Sequence, residues 1–315
     1  VSRGRGGRLA VVIGAATAIA VGTAVAGCSA VPSRSPASST GAVGTPSGTA
    51  TAPTGTTSAS ATTASPSASP PATTGALPGT GATPAPAWLG TRVLPTGPDG
   101  FGIATTTPRE LRNRRIITVD VLPPPADGRF HSRIATVPAS VARRSSWVAG
   151  CPVRLSQLRY VTVSFRGFDG RAHTGELLVN ADAAADVVRV FARLFAVGFP
   201  IEEMRITRKD EVDAPPTGDG NNTTAFVCRP VVGQHVWSQH AYGRAIDVDP
   251  FQNPYIRGDL VLPELARAYT DRTRRRPGMI TAGGPVVAAF RSVGWGWGGS
   301  FRSLKDYMHF SATGT

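Results

Sequence analysis

The chain has 315 residues, 33 of them basic and 20 acidic, for a formal net charge of +13. No nucleic-acid-binding motif accompanies that charge, and an export signal at the N-terminus argues against nucleic acid as the partner. A basic surface facing an anionic polymer or lipid accounts for it instead.

Arg3, Arg5 and Arg8 precede an apolar run over residues 9–27, the pattern of an export signal. Val25-Ala26-Gly27-Cys28 resembles a bacterial lipoprotein box. That implies a signal segment over 1–28, with Cys28 as the lipidated first residue of the mature protein. An uncleaved membrane anchor is the alternative, and either leaves the rest outside the cytoplasm, facing the cell wall. Residues 29–87 are nearly all Ser, Thr, Ala, Pro and Gly, with Arg34 as the one charge. Such a segment cannot bury enough apolar surface to offset its ordering entropy, so a disordered stalk is predicted there. Cys151 and Cys228 then remain as an even pair in an oxidising compartment, which predicts a disulfide between them.

Residues 88–146 read as an accessory, β-rich lead-in. Within it, residues 115–122 alternate as a strand until Pro123-Pro124-Pro125 stops it. The main domain is expected over 147–315. Residues 158–165 alternate and are β-branched, 175–179 form a second extended run, and Asp169-Gly170 between them signals a hairpin. Val187, Val190, Phe191, Leu194 and Val197 recur at helical spacing, with Gly198 to close the helix. A short strand is expected around 204–207, and helices after Pro263 and Pro285. Trp295 and Trp297 read as buried aromatics. Strands and helices mix without βαβ regularity, which predicts an α+β fold with a small, mostly antiparallel sheet and helices packed on it.

The chemistry concentrates in residues 237–249. His240 precedes a glycine-containing bend, and Asp247 follows in an alternating segment. Neutral imidazole and carboxylate are both good zinc donors, and a catalytic zinc takes three protein ligands with one position left for water. His309 offers the third donor, and Asp306 stands three residues before it. Asp249 reads as a turn residue ahead of Pro250, while His131, His173 and His235 have no comparable partner in the sequence.

Ser238-x-His240-x-x-Gly243-x-Ala245-x-Asp247, followed by Asp306-x-x-His309, resembles the zinc D-alanyl-D-alanine carboxypeptidase family. That family also contains L-alanyl-D-glutamate endopeptidases and the vancomycin-resistance dipeptidases. The resemblance spans roughly 147–312 and includes Phe168-Asp169-Gly170 and Gly175-Glu176-Leu177. It implies that His240, Asp247 and His309 hold Zn²⁺, that Asp306 is the general base, and that Arg229 stabilises the substrate or the tetrahedral species. Ser238 would orient substrate. The activity implied is hydrolysis of amide bonds in peptidoglycan stem peptides by a membrane-tethered monomer. A zinc-containing wall-binding module without catalysis is the alternative, set against the retention of every expected ligand and of Asp306.

Overall fold

The computed structural model describes Leu77, residues 79–231 and residues 234–315. The expected signal segment, Cys28 and most of the expected stalk lie outside the described residues. The stalk was expected to run to residue 87, but paired chain begins earlier. Leu77 N–H donates to Asp169 O at 2.9 Å, and Thr83 bridges Ile116 in parallel.

The lead-in is not β-rich. Residues 115–122 form no strand; their β pairing is limited to isolated bridges, Ile116 to Thr83 and Leu122 to Thr174. The alternation is real, since Ile116 and Thr118 are buried while Val119 and Val121 are exposed. No continuous partner strand lies beside it, so alternation gives an extended segment without a ladder. The lead-in packs on the domain through Leu94, Leu111 and Ile116, which join Phe251, Leu265 and Tyr269 in one cluster. A buried ion pair pins it further: Arg114 Nε and Nη2 donate to Glu202 at 2.8 and 2.6 Å.

The first strand, β1 (Ser132–Thr136), and the helix α1 (Ala139–Arg144) fall before residue 147 but belong to the main sheet. β1 pairs along β2 (Leu158–Arg166), and β2 pairs antiparallel with β3 (Ala172–Asn180), from Leu158↔Asn180 to Arg166↔Ala172. Gly170 turns that hairpin at φ +80, a conformation in which a Cβ is costly. Helix α2 (Ala184–Ala196) follows and ends at Gly198, φ +66. It buries Val187, Val190, Phe191 and Leu194 against the sheet. Each such side chain contributes ~1.5–3 kcal/mol on full burial.

Two residues only, β4 (Glu203–Met204), form the strand expected near 204–207, paired in parallel with β5 (Asn222–Thr223) beyond the short helix α3 (Lys209–Val212). The Asn222 side chain takes the Arg205 N–H at 2.9 Å and ends the ladder there. The chain then runs through β6 (Ala245–Asp247), β7 (Tyr255–Arg257) and β8 (Leu260–Leu262). Pro263 leads into a 3-10 helix, Glu264–Tyr269, and Pro285 opens helix α4 (Pro285–Arg291). Three short strands close the fold: β9 (Gly296–Trp297), β10 (Lys305–Asp306) and β11 (His309–Ser311). They complete two further three-stranded antiparallel sheets, in the orders β6-β11-β9 and β10-β7-β8. The fold is α+β with small antiparallel sheets, as the sequence predicts. Trp295 is buried in the main core and Trp297 is half-buried beside it. The Cys151–Cys228 disulfide is present, with Cα atoms 5.8 Å apart.

Candidate metal centre

Three elements bring His240, Asp247 and His309 together. His240 lies in a 3-10 turn, Gln239–Tyr242, whose N-terminus is capped by Ser238: its Oγ accepts from His240 N–H at 3.3 Å. Ser238 thus shapes the turn that carries His240, and it also lines the adjoining groove. Gly243 ends the turn at φ +66 and lies so close to β3 that a Cβ would meet Asn180 N at 2.7 Å. Asp247 ends β6, and Asp249 turns the chain away at φ +42 with its backbone N–H donated to Thr223 Oγ1. His309 begins β11 and faces Asp247 in the antiparallel register.

The donor atoms cluster, with the two imidazoles facing each other and each facing a different oxygen of Asp247. His240 Nε2 is 3.2 Å from His309 Nδ1 and 3.2 Å from Asp247 Oδ2, and His309 Nδ1 is 3.2 Å from Asp247 Oδ1. Bonds of 2.0–2.1 Å in a tetrahedral site put neighbouring donors about 3.3 Å apart, so the spacing fits zinc. Protonation fits as well. His240 Nδ1 lies 2.6 Å from Ala225 O, and His309 Nε2 lies 3.3 Å from Thr315 O. If each of these nitrogens donates to its carbonyl, the neutral rings turn two lone pairs toward one another. Two facing lone pairs and a carboxylate call for a cation.

The three groups pair with one another. Burial opposes ionisation of Asp247, yet the charges and hydrogen bonds of His240 and His309 hold its carboxyl far below the usual range. Burial works against the His309 imidazolium, but the Asp247 hydrogen bond and charge push its pKa up.

Asp306 is the fourth member. A regular strand would turn it to the opposite side from His309, but a bend at Tyr307 and Met308 separates β10 from β11. Trp297 Nε1 holds the bend by donating to Tyr307 O at 2.9 Å, and the Arg272 guanidinium lies over the Tyr307 ring. Gly298 lets the Asp306 backbone come close: a Cβ there would meet Asp306 O at 2.6 Å and Asp306 Cβ at 2.8 Å. Asp306 Oδ1 is buried and, among the described residues, has no hydrogen-bond partner. Burial first, then the negative charge of Asp247, pushes its pKa up to about 7, while His309 and Arg229 pull it down.

The cluster opens into a cavity of about 430 Å³ lined by Arg229, Trp237, Tyr255, Arg257 and Asp306, among others. Arg229 follows the disulfide cysteine Cys228 and donates to Pro230 O. Among the described residues, His240, Asp247 and His309 are the one group of three His, Cys, Asp or Glu side chains spaced to hold a metal. His173, without a partner in the sequence, sits between Asp120 and Asp169 at 2.9 and 3.0 Å and ties the lead-in to the hairpin.

Residues 232–312 match the family model described as D-alanyl-D-alanine carboxypeptidase. This segment is similar to that peptidase family. It contains His240, Asp247, Asp306 and His309, whereas Arg229 and both disulfide cysteines precede it. The match is thus narrower than the resemblance over 147–312. No curated protein and no solved structure matches the chain.

The sequence reading missed Gly298, the Ala225 carbonyl and Arg257. The run Trp297-Gly298-Gly299 was a signal for the first, since adjacent glycines mark close backbone approach. A carbonyl acceptor leaves no side-chain signal at all.

Proposed function

We propose that this chain is an exported zinc peptidase that hydrolyses amide bonds in peptidoglycan stem peptides. The observation that carries the reading is the cluster of His240, Asp247 and His309 donors with the buried Asp306 Oδ1, which has no hydrogen-bond partner among the described residues, beside it. Similarity of residues 232–312 to a peptidase family supports it.

His240, Asp247 and His309 would hold the zinc, whose chemistry when bound would be to lower the pKa of water and polarise the scissile carbonyl. Asp306 accepts a proton from the attacking water and passes it to the leaving amine. Burial and the Asp247 charge raise the Asp306 pKa, which helps it to give up the proton again after accepting it. Arg229 offers parallel N–H donors to a substrate carboxylate or to the developing oxyanion. The Ala225 carbonyl holds the His240 ring, and Ser238 caps the turn that carries it. A wall-binding module without catalysis leaves the buried Asp306 carboxylate without a task.

Lipidation at Cys28 and the stalk would keep the domain between membrane and wall. Cys28→Ala should then release the protein from the membrane fraction; an unchanged membrane-bound product of the same mass would favour an uncleaved anchor. The peptidase reading itself is tested by mass spectrometry of purified muropeptides incubated with zinc-loaded protein. Loss of a terminal D-alanine marks a carboxypeptidase and cleavage after L-alanine an endopeptidase. Intact muropeptides would sink the reading.

A further inference from the structure

The groove beside the cluster holds a second guanidinium. β10 and β7 set Asp306 opposite Tyr255 and Lys305 opposite Ile256. Residues two apart on a strand share a face. Accordingly Tyr255 and Arg257 both line the cavity and Ile256 does not. Arg257 therefore stands about 7 Å along β7 from the position opposite Asp306. Arg229 lines the same cavity, close enough for its charge to act on Asp306.

Among the described residues, no carboxylate pairs with either guanidinium. Arg229 donates only to Pro230 O, and the Arg257 side chain makes no hydrogen bond or ion pair. By contrast, Arg114, Arg144, Arg205 and Arg208 each bind a carboxylate. The two acids lining the cavity are committed elsewhere, Asp247 to both imidazoles and Asp306 to the reaction. Apolar Val236, Trp237 and Leu304 also line the groove. Two guanidinium groups lining one groove without a carboxylate partner match an anionic ligand with two charges.

We infer that Arg257 is a specificity residue, and that the groove selects acidic peptides carrying two carboxylates. One lies next to the scissile amide and meets Arg229; the other lies about one residue further along the peptide and meets Arg257. The inference rests on the peptidase reading for the position of the scissile bond.

The test is calorimetric binding to the zinc-loaded, full-length Asp306→Asn protein, so that turnover does not intervene. The probes are the tripeptide L-Ala-γ-D-Glu-L-Lys, with both carboxylates free, and two versions with one or the other amidated. The diacid should bind tightest, and each amidation should weaken binding about tenfold or more, as for loss of a hydrogen bond to a charged group. Adding Arg257→Gln should remove the penalty for one amidation only, and Arg229→Gln the penalty for the other; Arg257→Lys should keep part of it. Equal penalties in Arg257→Gln and its parent would overturn the inference, as would a parent indifferent to both amidations. If the pattern appears while wild type cleaves no muropeptide, the two-carboxylate groove stands and the peptidase reading falls.

Discussion

His309 stands directly opposite Asp247 in the register of β6 and β11, with its Nδ1 3.2 Å from Asp247 Oδ1. Cross-strand neighbours hold their Cβ atoms about 4.5–5.5 Å apart, so backbone pairing itself fixes this half of the cluster. His240 arrives from outside the ladder, on a capped turn docked against β3.

The first prediction concerns the metal. Wild type should bind about one zinc, as three protein donors at tetrahedral spacing require. His309→Ala should lose it, because a carboxylate and one imidazole remain. Elemental analysis of both proteins decides, and equal zinc would remove His309 from the ligand set.

Asp306→Asn should keep the zinc, since the amide preserves shape and Asp306 is not among the three clustered donors. It should lower kcat by ~10²–10⁴, the usual range for removing a general acid–base group. Full turnover of a stem peptide by this variant would sink Asp306 as the base, and loss of zinc would make it a ligand or a ligand's support.

The pH profile has a definite sign. Asp306 acts as a carboxylate, so kcat/KM should rise with pH through its pKa and fall below it. Burial and the Asp247 charge raise that pKa to about 7, and a bound cation adds to the lowering by His309 and Arg229. The acidic limb should therefore lie at or below about pH 7. Arg229→Gln removes one lowering charge and should move the limb to higher pH; a limb that stays put would show that the two groups do not interact.

Glu176 on β3 offers a stability test away from the site. It is fully buried and accepts both Arg144 Nη groups at 2.5 Å and Tyr160 Oη at 2.6 Å, tying α1 to the sheet. Burial opposes its ionisation, but Arg144 and Tyr160 outweigh it and depress the pKa below 4.5. A depressed carboxylate contributes stability that is fully present above the unfolded pKa and lost as pH falls through the folded one. Glu176→Gln should cost ~2 kcal/mol at pH 7, below the ~3–5 kcal/mol for a fully buried pair because solvent reaches Arg144. The deficit should shrink as pH drops below 4.5. Urea melts across that range measure it, and a constant deficit would mean the pair's charge contributes nothing.

The strongest local patterns were legible in the sequence because their causes are local. Asp169-Gly170 closes the β2–β3 hairpin, the apolar stripe from Val187 to Leu194 becomes the buried face of α2, and Gly198 and Gly243 take the positive φ that ends their helices. His240, Asp247 and His309, named in the sequence through the motif's resemblance to a peptidase family, do come together, and the even cysteine pair gave the disulfide. Residues 115–122 show the limit of such reading: alternation is a property of the segment, but a strand also needs a partner, and the fold supplies only isolated bridges. The same holds at the site. Whether His240 presents Nε2 depends on the carbonyl of Ala225, fifteen residues upstream, and whether Asp306 reaches the cluster depends on a bend held by Trp297 and on the missing side chain of Gly298. Arg257 becomes a groove residue only because β7 pairs with β10. These are contacts between segments distant in sequence, where the determining groups are backbone atoms and empty space, and only the tertiary structure brings them to one point.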